Sequence, residues 1–512
     1  MSDDAAAHTG RLSPDRRWRW DGTAWTPMLP EALLRLPPPW ARLTLRVQAT
    51  WWAVGATLVV GLLADQALRV GSFGVGASLA LACTALALVF VARLQRLESR
   101  LLAGTAVAFA AWVSLRASPW LLWPDVAAGL ILLGMTASVA VRGSLLDMGI
   151  AESVARGFNA ALHGMAGGAF VGKPIARTKK RLAAIAPVAR GLLIAIPIAA
   201  VLAGLLASAD PIFASFLTVN LDFGRLWLDG FFLLAGSLAV AGLLRLAAAE
   251  PMDRVDGPVW RLGTIEALVV LVVLDAVFAA FAVAQAIAVS GTGAETLRAA
   301  GVTYADYARS GFFQLLWVAG ITLILLILFS RITGFAHRSR KVAFIVLAEA
   351  AIALTLLIVL VASVRLSIYE SAYGFTMLRL YSHIFSGWIA VVFLLLAADV
   401  AGLFRQRRWF IGAATLTALG LLMVLNVANP EAIVVGLNIE RAAATQKIDA
   451  QYLGELSSDA TPALLASRSQ FDASLWQDVK GAVCAGPRSY APSPAAFNWA
   501  DADAAQARRE SC

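Results

Sequence analysis

Apolar runs such as "ALVVLVVLDAVFAAFAVAQAIAV", residues 267–289, decide the fold class, and this run carries a single ionisable side chain, Asp275. A bilayer core about 30 Å thick is crossed by roughly 20 helical residues, and the run exceeds that length. Comparable runs recur along a chain that is 59% hydrophobic and only 15% charged, whereas about a quarter of the residues in a soluble protein are charged. The sequence therefore predicts an all-α integral membrane protein.

About eleven apolar segments reach or approach the length of a membrane span. The third ends at Arg116 and the fourth carries Asp125 near one end, so a shallow hairpin is the alternative for these two. We place the transmembrane helices at approximately 46–64, 71–92, 101–117, 120–141, 186–208, 226–248, 264–289, 311–330, 342–363, 381–401 and 410–428.

The net charge of +9 is distributed unevenly about these spans. Segments on the side of the N-terminus hold roughly four times as many Lys and Arg as the short loops on the other side, and such an excess marks the cytoplasmic side. The sequence thus predicts a cytoplasmic N-terminus and an extracytoplasmic C-terminus in the cell membrane. The clusters "RTKKR" (177–181) and "HRSRK" (337–341) then indicate topology signals and contacts with the lipid bilayer, and we expect no nucleic-acid partner.

Composition divides the chain into a cytoplasmic segment 1–45, a polytopic domain 46–428 and an extracytoplasmic helical tail 429–512. No cleavable signal peptide is evident, so we expect the first span to act as the anchor. The amphipathic segment 142–183 should lie along the cytoplasmic membrane face. In the tail we expect two or three short helices on the outer surface and a loose end after residue 486.

The stretch "RWRWDGTAWTP" near the N-terminus predicts a β-hairpin, because Asp-Gly favours a two-residue turn. With Asp21 and Gly22 at the turn, Trp18 would face Trp25, and Trp20 would lie on the same face. We interpret this tryptophan face as a contact surface for a cytoplasmic protein or for lipid headgroups. The stretch also resembles the short Trp-rich module found at the ends of many actinobacterial membrane proteins.

Signatures of catalysis and metal binding are missing from the sequence. There is no G-x-S-x-G, H-E-x-x-H, Walker A or C-x-x-C pattern, and the four histidines are scattered. We therefore predict no catalytic residue, no metal site and no cofactor. Cys484 and Cys512 fall in the outer tail, where a disulfide persists, and they form a candidate pair.

Three carboxylates lie within the predicted spans, namely Asp275, Glu349 and Asp399. A charge in mid-bilayer costs roughly 2.5–3.5 kcal/mol, so these side chains should face the interior of the bundle. One reading is a proton or cation path, and the other is a protonated acid bonded to a neighbouring helix. We favour the second reading for Glu349 and Asp399, whereas for Asp275 both stay open.

Between the ninth and tenth spans, Leu366, Tyr369, Tyr373, Thr376 and Leu380 recur at helical spacing. The pattern predicts an amphipathic helix in the outer interface, with its tyrosines at headgroup depth. Charged residues of both signs gather on the same side. We expect them to form an ion-paired cap between loops and tail, with a ligand site as the alternative: Asp306, Arg309, Arg365, Glu370, Arg379, Glu440 and Arg441.

Several stretches in the second half resemble a bacterial multi-pass membrane family, domain of unknown function 4173, which is close to the related family 4153. They are "SADPIFA" (208–214), "YADYARSGFF" (304–313), "RLSIYESAYGFTMLRLY" (365–381) and "NPEAIVVGLNIERAAATQKIDAQYLGELSSDATPALL" (429–465). The resemblance spans roughly residues 185–466. It implies an integral membrane protein and no established activity.

Three functions from different classes fit these features. We favour a non-enzymatic envelope scaffold or sensor, in which outer loops and tail form a domain. The alternatives are a transporter or ion pathway that uses an intramembrane carboxylate, and a membrane enzyme acting on lipid or envelope precursors. Few ionisable groups in the spans count against the transporter, and the sequence shows no histidine–carboxylate pairing to support the enzyme.

Overall fold

A computed structural model of the chain describes residues 13, 18–20, 24–27, 43–69, 73–177, 223–255, 261–289, 311–335, 337–403 and 408–512, with scattered positions between 187 and 206. Within the described chain, the regular secondary structure is helical apart from one short hairpin near the N-terminus. Seventeen α-helices follow in order: α1 (Trp51–Arg69), α2 (Val75–Phe90), α3 (Leu97–Leu115), α4 (Pro119–Ser138), α5 (Ile150–Met165), α6 (Gly167–Arg177), α7 (Phe223–Ala247), α8 (Thr264–Val289), α9 (Phe312–Ile332), α10 (Arg338–Tyr373), α11 (Met377–Val400), α12 (Trp409–Ala428), α13 (Pro430–Thr445), α14 (Ala450–Glu455), α15 (Thr461–Ala466), α16 (Ala473–Cys484) and α17 (Trp499–Ser511).

Eight helices in the described part of the chain are long and apolar enough to cross a membrane, which confirms the multi-pass architecture. They are α1, α4, α7, α8, α9, α10, α11 and α12. Of the other predicted spans, the second corresponds to α2, which has only 16 residues. The third corresponds to α3, whose first turn carries Glu98 and Arg100. The fifth, at 186–208, lies mostly outside the described residues.

The helices of the bundle pack around two apolar cores. The first is built by α1–α4 and α7, with Leu88, Phe109 and Leu133 almost fully buried. The second is built by α8–α12 around Leu271 and Phe393. Leu419 and Met423 of α12 pack against the first core, whereas Phe410 near the start of α12 belongs to the second. α12 therefore joins the two groups of helices.

Helix ends collect into two opposite ends of the bundle. One end, which we call the tail end, is covered by residues 430–512. There the Val75 N–H donates to the Phe497 carbonyl at 2.9 Å, and the Met377 N–H donates to the Tyr452 hydroxyl at 2.7 Å. The other, which we call the arginine end, joins the start of α1 to the end of α7 through Leu45 and Ala249. Helices α2, α3 and α4 run in alternating directions between these two ends.

The prediction of one interface helix between the ninth and tenth spans is wrong. Helix α10 runs unbroken for 36 residues to Tyr373, turns at Gly374 with a φ of +86°, and gives way to α11 after Thr376 caps its first turn. Leu366 is buried at the tail end of α10, whereas Tyr373 is exposed. Because glycine tolerates positive φ, Gly374 divides what reads as one amphipathic stripe into two helix ends.

The predicted loose C-terminus is also wrong. Residues 499–511 form α17, in which Ala504 and Ala505 are buried. The tail has its own apolar core, which includes Val435, Leu464 and Val479. Alternating small and polar residues conceal the buried face of α17 in the sequence, because alanine contributes to a core without a strong hydropathy signal.

The N-terminal hairpin is present in another register. Trp20 pairs with Trp25 and Trp18 with Pro27, so the predicted pairing of Trp18 with Trp25 is wrong, and the connecting loop comprises four residues. The Trp20 and Trp25 rings meet edge-on with centroids 5.4 Å apart. Such a cross-strand aromatic contact favours the observed register. Asp21 and Gly22 lie outside the described residues.

Candidate functional site

A buried polar junction fastens the tail to the ends of α3 and α4. Asp459 of the tail is buried, and its Oδ2 accepts the backbone N–H groups of Ala117 at 2.8 Å and Ser118 at 2.7 Å. Its Oδ1 lies 3.3 Å from Nη1 of Arg116. A carboxylate is favoured at a helix N-terminus, here that of α4. Both oxygens of Asp459 are thus engaged by the loop between α3 and α4.

Glu431, in the first turn of α13, forms a second contact between tail and bundle. Its Oε1 accepts the hydroxyl proton of Ser118 at 2.6 Å, and its Oε2 accepts that of Ser457 at 2.7 Å. Burial raises the pKa of the Glu431 carboxyl above its ordinary value, while the two hydroxyl donors lower it and nearby Asp459 raises it. The proton therefore dissociates from this carboxyl less readily than from an exposed glutamic acid.

Below the junction, a polar pair is buried between α4 and α12. The Asn426 Nδ2 donates to Asp125 Oδ1 at 2.7 Å, and both side chains are fully buried. The backbone carbonyl of Asn426 accepts from Nε of Arg116 at 2.9 Å. Arg116 therefore links α3 and α12 to the tail, and the span ends and the tail form one hydrogen-bonded unit.

The sequence signal for this junction was weak. Asp459 lies in "SSDATP", which reads as the N-terminal boundary of a short helix, and Glu431 follows a proline as an ordinary first-turn acid. Asn498, which donates from Nδ2 to the Arg116 carbonyl at 2.9 Å, sits in the segment predicted to be loose. Only Arg116 and Asp125 attract notice from sequence, since both lie close to the end of an apolar run.

One predicted outer-face residue has an unforeseen partner. Glu370 on α10 is buried, and its Oε2 lies 2.8 Å from Nε2 of His383 on α11. The expectation from sequence that no histidine–carboxylate pair exists is therefore wrong. The two residues are 13 positions apart and meet because α10 and α11 fold back on each other at Gly374. An apolar cavity of about 540 Å³ lies between α9 and α11, lined by residues including Trp317, Tyr381 and Ser382.

The predicted arginines at this end contact neutral groups among the described residues. Arg365 Nη2 donates to Gln285 Oε1 at 2.9 Å, and Arg379 stacks over the Tyr369 ring at 4.4 Å. Arg441 Nε donates to the Ser371 carbonyl at 3.3 Å.

Of the other predicted members of the outer-face cluster, the structure describes Glu440 alone. Glu440 is exposed on α13. Asp306 and Arg309 lie outside the described residues. The structure therefore places Arg365, Arg379 and Arg441 at one end of the bundle with glutamine, tyrosine and backbone partners, and it places Glu370 there beside His383.

The three intramembrane carboxylates differ in their surroundings. Asp399 Oδ2 accepts from Arg331 Nη2 at 2.7 Å at the arginine end. Within the described chain, no hydrogen-bond donor contacts either carboxylate oxygen of Asp275. The same is true of Oε1 of Glu349. Helices α8 and α10 both start at the arginine end, and each carboxylate lies eleven residues into its helix, about 16 Å at a rise of 1.5 Å per residue. Asp275 and Glu349 therefore lie at a similar depth.

The structure joins Cys484, the last residue of α16, to Cys512 in a disulfide. Cys83 of α2 is the free cysteine. Over the described residues, no group of three or more His, Cys, Asp or Glu side chains is arranged to hold a metal ion. The disulfide ties the C-terminal helix α17 to the tail core.

These features define a multi-pass helical membrane protein with a tail docked on one end of its bundle. The chain belongs to the family described as Domain of unknown function (DUF4153), which matches residues 101–467. The matched range contains every junction residue from Arg116 to Asp459 and stops before Asn498. Membership in family 4173 and the Trp-rich module stay predictions. No curated protein and no solved structure matches the chain.

Proposed function

We propose that the chain is a non-enzymatic scaffold or sensor of the bacterial cell envelope, with its tail as an extracytoplasmic domain. The observation that carries this proposal is the engagement of Asp459 and Glu431 by protein donors at the ends of membrane helices. Carboxylates whose oxygens are held in this way position a domain rather than bind a substrate. A small cavity of about 240 Å³ between Arg116, Asp459 and Asp503 offers a place where a ligand would alter tail docking.

The proposed topology has eleven spans, a cytoplasmic N-terminus and an extracytoplasmic C-terminus. The excess of Lys and Arg on the N-terminal side supports it, as do α2 and α3, whose ends alternate with those of the longer helices. The proposed units are residues 1–45, 46–428 and 429–512, and the hairpin is an accessory cytoplasmic contact surface. A reporter active only outside the cytoplasm should be active when fused after residue 460 and silent after residue 340. The reverse pattern would overturn this arrangement.

The scaffold or sensor role is tested by complementation of a deletion strain. Asp459→Asn removes the carboxylate that accepts the N–H groups of the α3–α4 loop, so it should lose rescue at equal protein abundance. Asp472→Asn changes an exposed acid of the tail and should rescue fully. Rescue by both variants would contradict a role for the docked tail, and an abundance blot separates loss of function from loss of protein.

A proton or ion pathway is the second candidate, and the surroundings of Asp275 favour it. Both of its oxygens lack a donor among the described residues, and Glu349 lies at a similar depth on the adjacent, parallel helix α10. Asp275→Asn should abolish proton flux in proteoliposomes if this pathway exists. Flux no greater than that of empty vesicles for the unmodified protein would reject it.

An enzyme acting on lipid or envelope precursors is the third candidate. The Glu370–His383 pair supports it, as does the apolar cavity between α9 and α11. Under this reading Glu370→Gln should abolish complementation while abundance is retained. Loss of abundance would instead assign Glu370 to the packing of α10 against α11.

A further inference from the structure

The arginine end of the bundle contains a polar cavity of about 470 Å³. It lies where α3 begins, α4 ends and α5 begins, and residues from these elements and from the loop after α7 line it. Four arginines and two acids line it: Arg96, Arg142, Arg156 and Arg254, with Asp147 and Glu152. The lining therefore carries an excess of positive charge.

Arg156 forms the closed base of the cavity. Its side chain is 2% exposed and is held by Glu152 Oε1, which accepts from Nε at 3.0 Å and from Nη2 at 2.8 Å. Its Nη1 donates to the Ser138 carbonyl at 2.9 Å. Gly143 crosses directly over this guanidinium with a φ of +109°, and a Cβ there would collide with Arg156 Nη2. The base is thus a rigid, preorganised part of the fold.

At the mouth of the cavity, Arg142 and Arg254 are both 67% exposed. Arg142 Nη1 lies 3.5 Å from Asp253 Oδ1, and Arg254 Nη2 pairs with Asp147. Exposed pairs of this kind contribute little stability. A guanidinium has five N–H donors, and in the described chain each of these two arginines uses one nitrogen for its acid. Donors therefore remain for a ligand, and guanidinium groups match the oxygens of a phosphate.

The neighbouring helix α5 places the cavity at the membrane surface. Its polar side chains face the protein, where Glu152, Arg156 and His163 are buried and His163 Nδ1 lies 2.6 Å from Arg245 Nη1 of α7. Its apolar side chains face outward, with Val154 67% and Met165 87% exposed. An outward apolar face beside the ends of membrane helices contacts acyl chains. The cavity mouth accordingly lies at headgroup depth.

We propose that this cavity binds a phosphate group, as carried by the headgroup of an anionic membrane lipid. Arg142 and Arg254 close on the phosphate oxygens from the mouth, and Arg96 and the Arg156 base supply positive charge behind them. Binding exchanges the exposed ion pairs with Asp253 and Asp147 for charge-assisted hydrogen bonds to phosphate. Glu98, 3.6 Å from Arg96, holds that side chain at the cavity wall.

The test titrates the full-length protein, purified in a zwitterionic detergent, and follows its melting temperature. The titrants are phosphatidylglycerol, phosphatidylcholine and inorganic phosphate. The variant Arg142→Gln with Arg254→Gln removes the mouth and leaves the buried base intact. The matched control, Arg338→Gln with Arg340→Gln, removes the same charge from exposed positions at the start of α10, outside the cavity.

Phosphatidylglycerol should raise the melting temperature of the unmodified protein and of the control in a saturable way, and phosphatidylcholine should not. The mouth variant should need at least roughly ten-fold more phosphatidylglycerol, because two charge-assisted contacts are lost. Saturation by inorganic phosphate alone, abolished in the mouth variant, would support the phosphate site and assign it to a soluble phosphate. Equal lipid responses of mouth variant and control, or no saturable response to either phosphate source, would overturn the proposal.

Discussion

The roles of the buried acids follow from the donors that surround each one. Asp459 accepts two backbone N–H groups and faces Arg116, whereas the Asp275 oxygens have no donor in the described chain. Asp275 lies within an apolar run and Asp459 in a polar stretch of the tail, but neither context predicts which donors surround the side chain. A buried carboxylate with donors stabilises one arrangement of helices, while one without donors is held neutral or binds a cation.

Glu431 should make the stability of the junction depend on pH. Because burial raises its pKa in the folded state, the folded protein holds this proton more tightly than the unfolded chain. The resulting stabilisation is complete below the ordinary glutamate pKa and is lost as the pH rises through the raised value. Glu431→Gln mimics the protonated acid, so the melting temperature of the native protein should fall progressively below that of the variant as the pH rises above the ordinary glutamate pKa of about 4.3.

Glu440→Gln is the control for this experiment, since Glu440 is exposed on the same helix. Its melting temperature should differ from that of the native protein by a constant amount over the range. Parallel curves for Glu431→Gln and the native protein would contradict the assignment of a raised pKa to Glu431.

Among the helices, close approach depends on glycines at particular positions. On α1, a Cβ at Gly61 would lie 2.8 Å from the Leu233 carbonyl oxygen of α7 and would collide with the Ser237 hydroxyl. Gly236 of α7 lies against Ala64 in the same crossing. Small residues allow membrane helices to approach and gain van der Waals contact, so the α1–α7 pair is specified by these glycines.

Gly61→Ala should therefore destabilise the protein by about 1–3 kcal/mol, as overpacking does in other interiors. Gly55→Ala on the same helix meets no atom within 4 Å and should be neutral or stabilising, because alanine is the better helix former. Thermal unfolding of the two variants in the same detergent provides the comparison. A Gly61→Ala variant as stable as Gly55→Ala would mean that α1 and α7 do not cross at this point.

At the scale of the whole molecule, the disulfide holds the C-terminal helix α17 in place against the tail. Cys484 and Cys512 enclose a sequence separation of 28 residues that contains α17, and α17 follows Asn498, which reaches the end of α3. Cross-linking restricts the unfolded chain, so the bond stabilises the tail and, through Asn498, its docking.

Cys484→Ser should lower the stability of the tail by about 3.5 kcal/mol on the chain-entropy estimate. Limited proteolysis should then cut between residues 487 and 512 before the membrane helices are affected. Cys83→Ser, which alters the free cysteine, should leave the proteolysis pattern unchanged. A non-reducing gel checks the bond directly, and identical mobility of the native protein and Cys484→Ser would contradict it.

The apolar runs were sufficient to predict a helical membrane protein with several spans. They failed where the hydropathy signal is weak. The register of the tryptophan hairpin depends on the Trp20–Trp25 contact and the break at Gly374 on a positive φ, neither of which hydropathy reports. Helix α17 depends on packing against the rest of the tail. The same holds for the site, since Asp459 and Glu431 look like ordinary helix-start acids.

Hydrophobicity is a property of each segment alone, because a run of apolar residues must leave water whatever its neighbours are. The sequence therefore established the membrane environment, most of the helices and the distribution of charge about them. The packing of the helices, by contrast, determines which polar residues meet. Arg116 and Asp459 are more than 300 positions apart, and they come within hydrogen-bond reach only because α3, α4, α12 and the tail share one end of the bundle. The tail junction, the Glu370–His383 pair and the arginine cavity arise at that level.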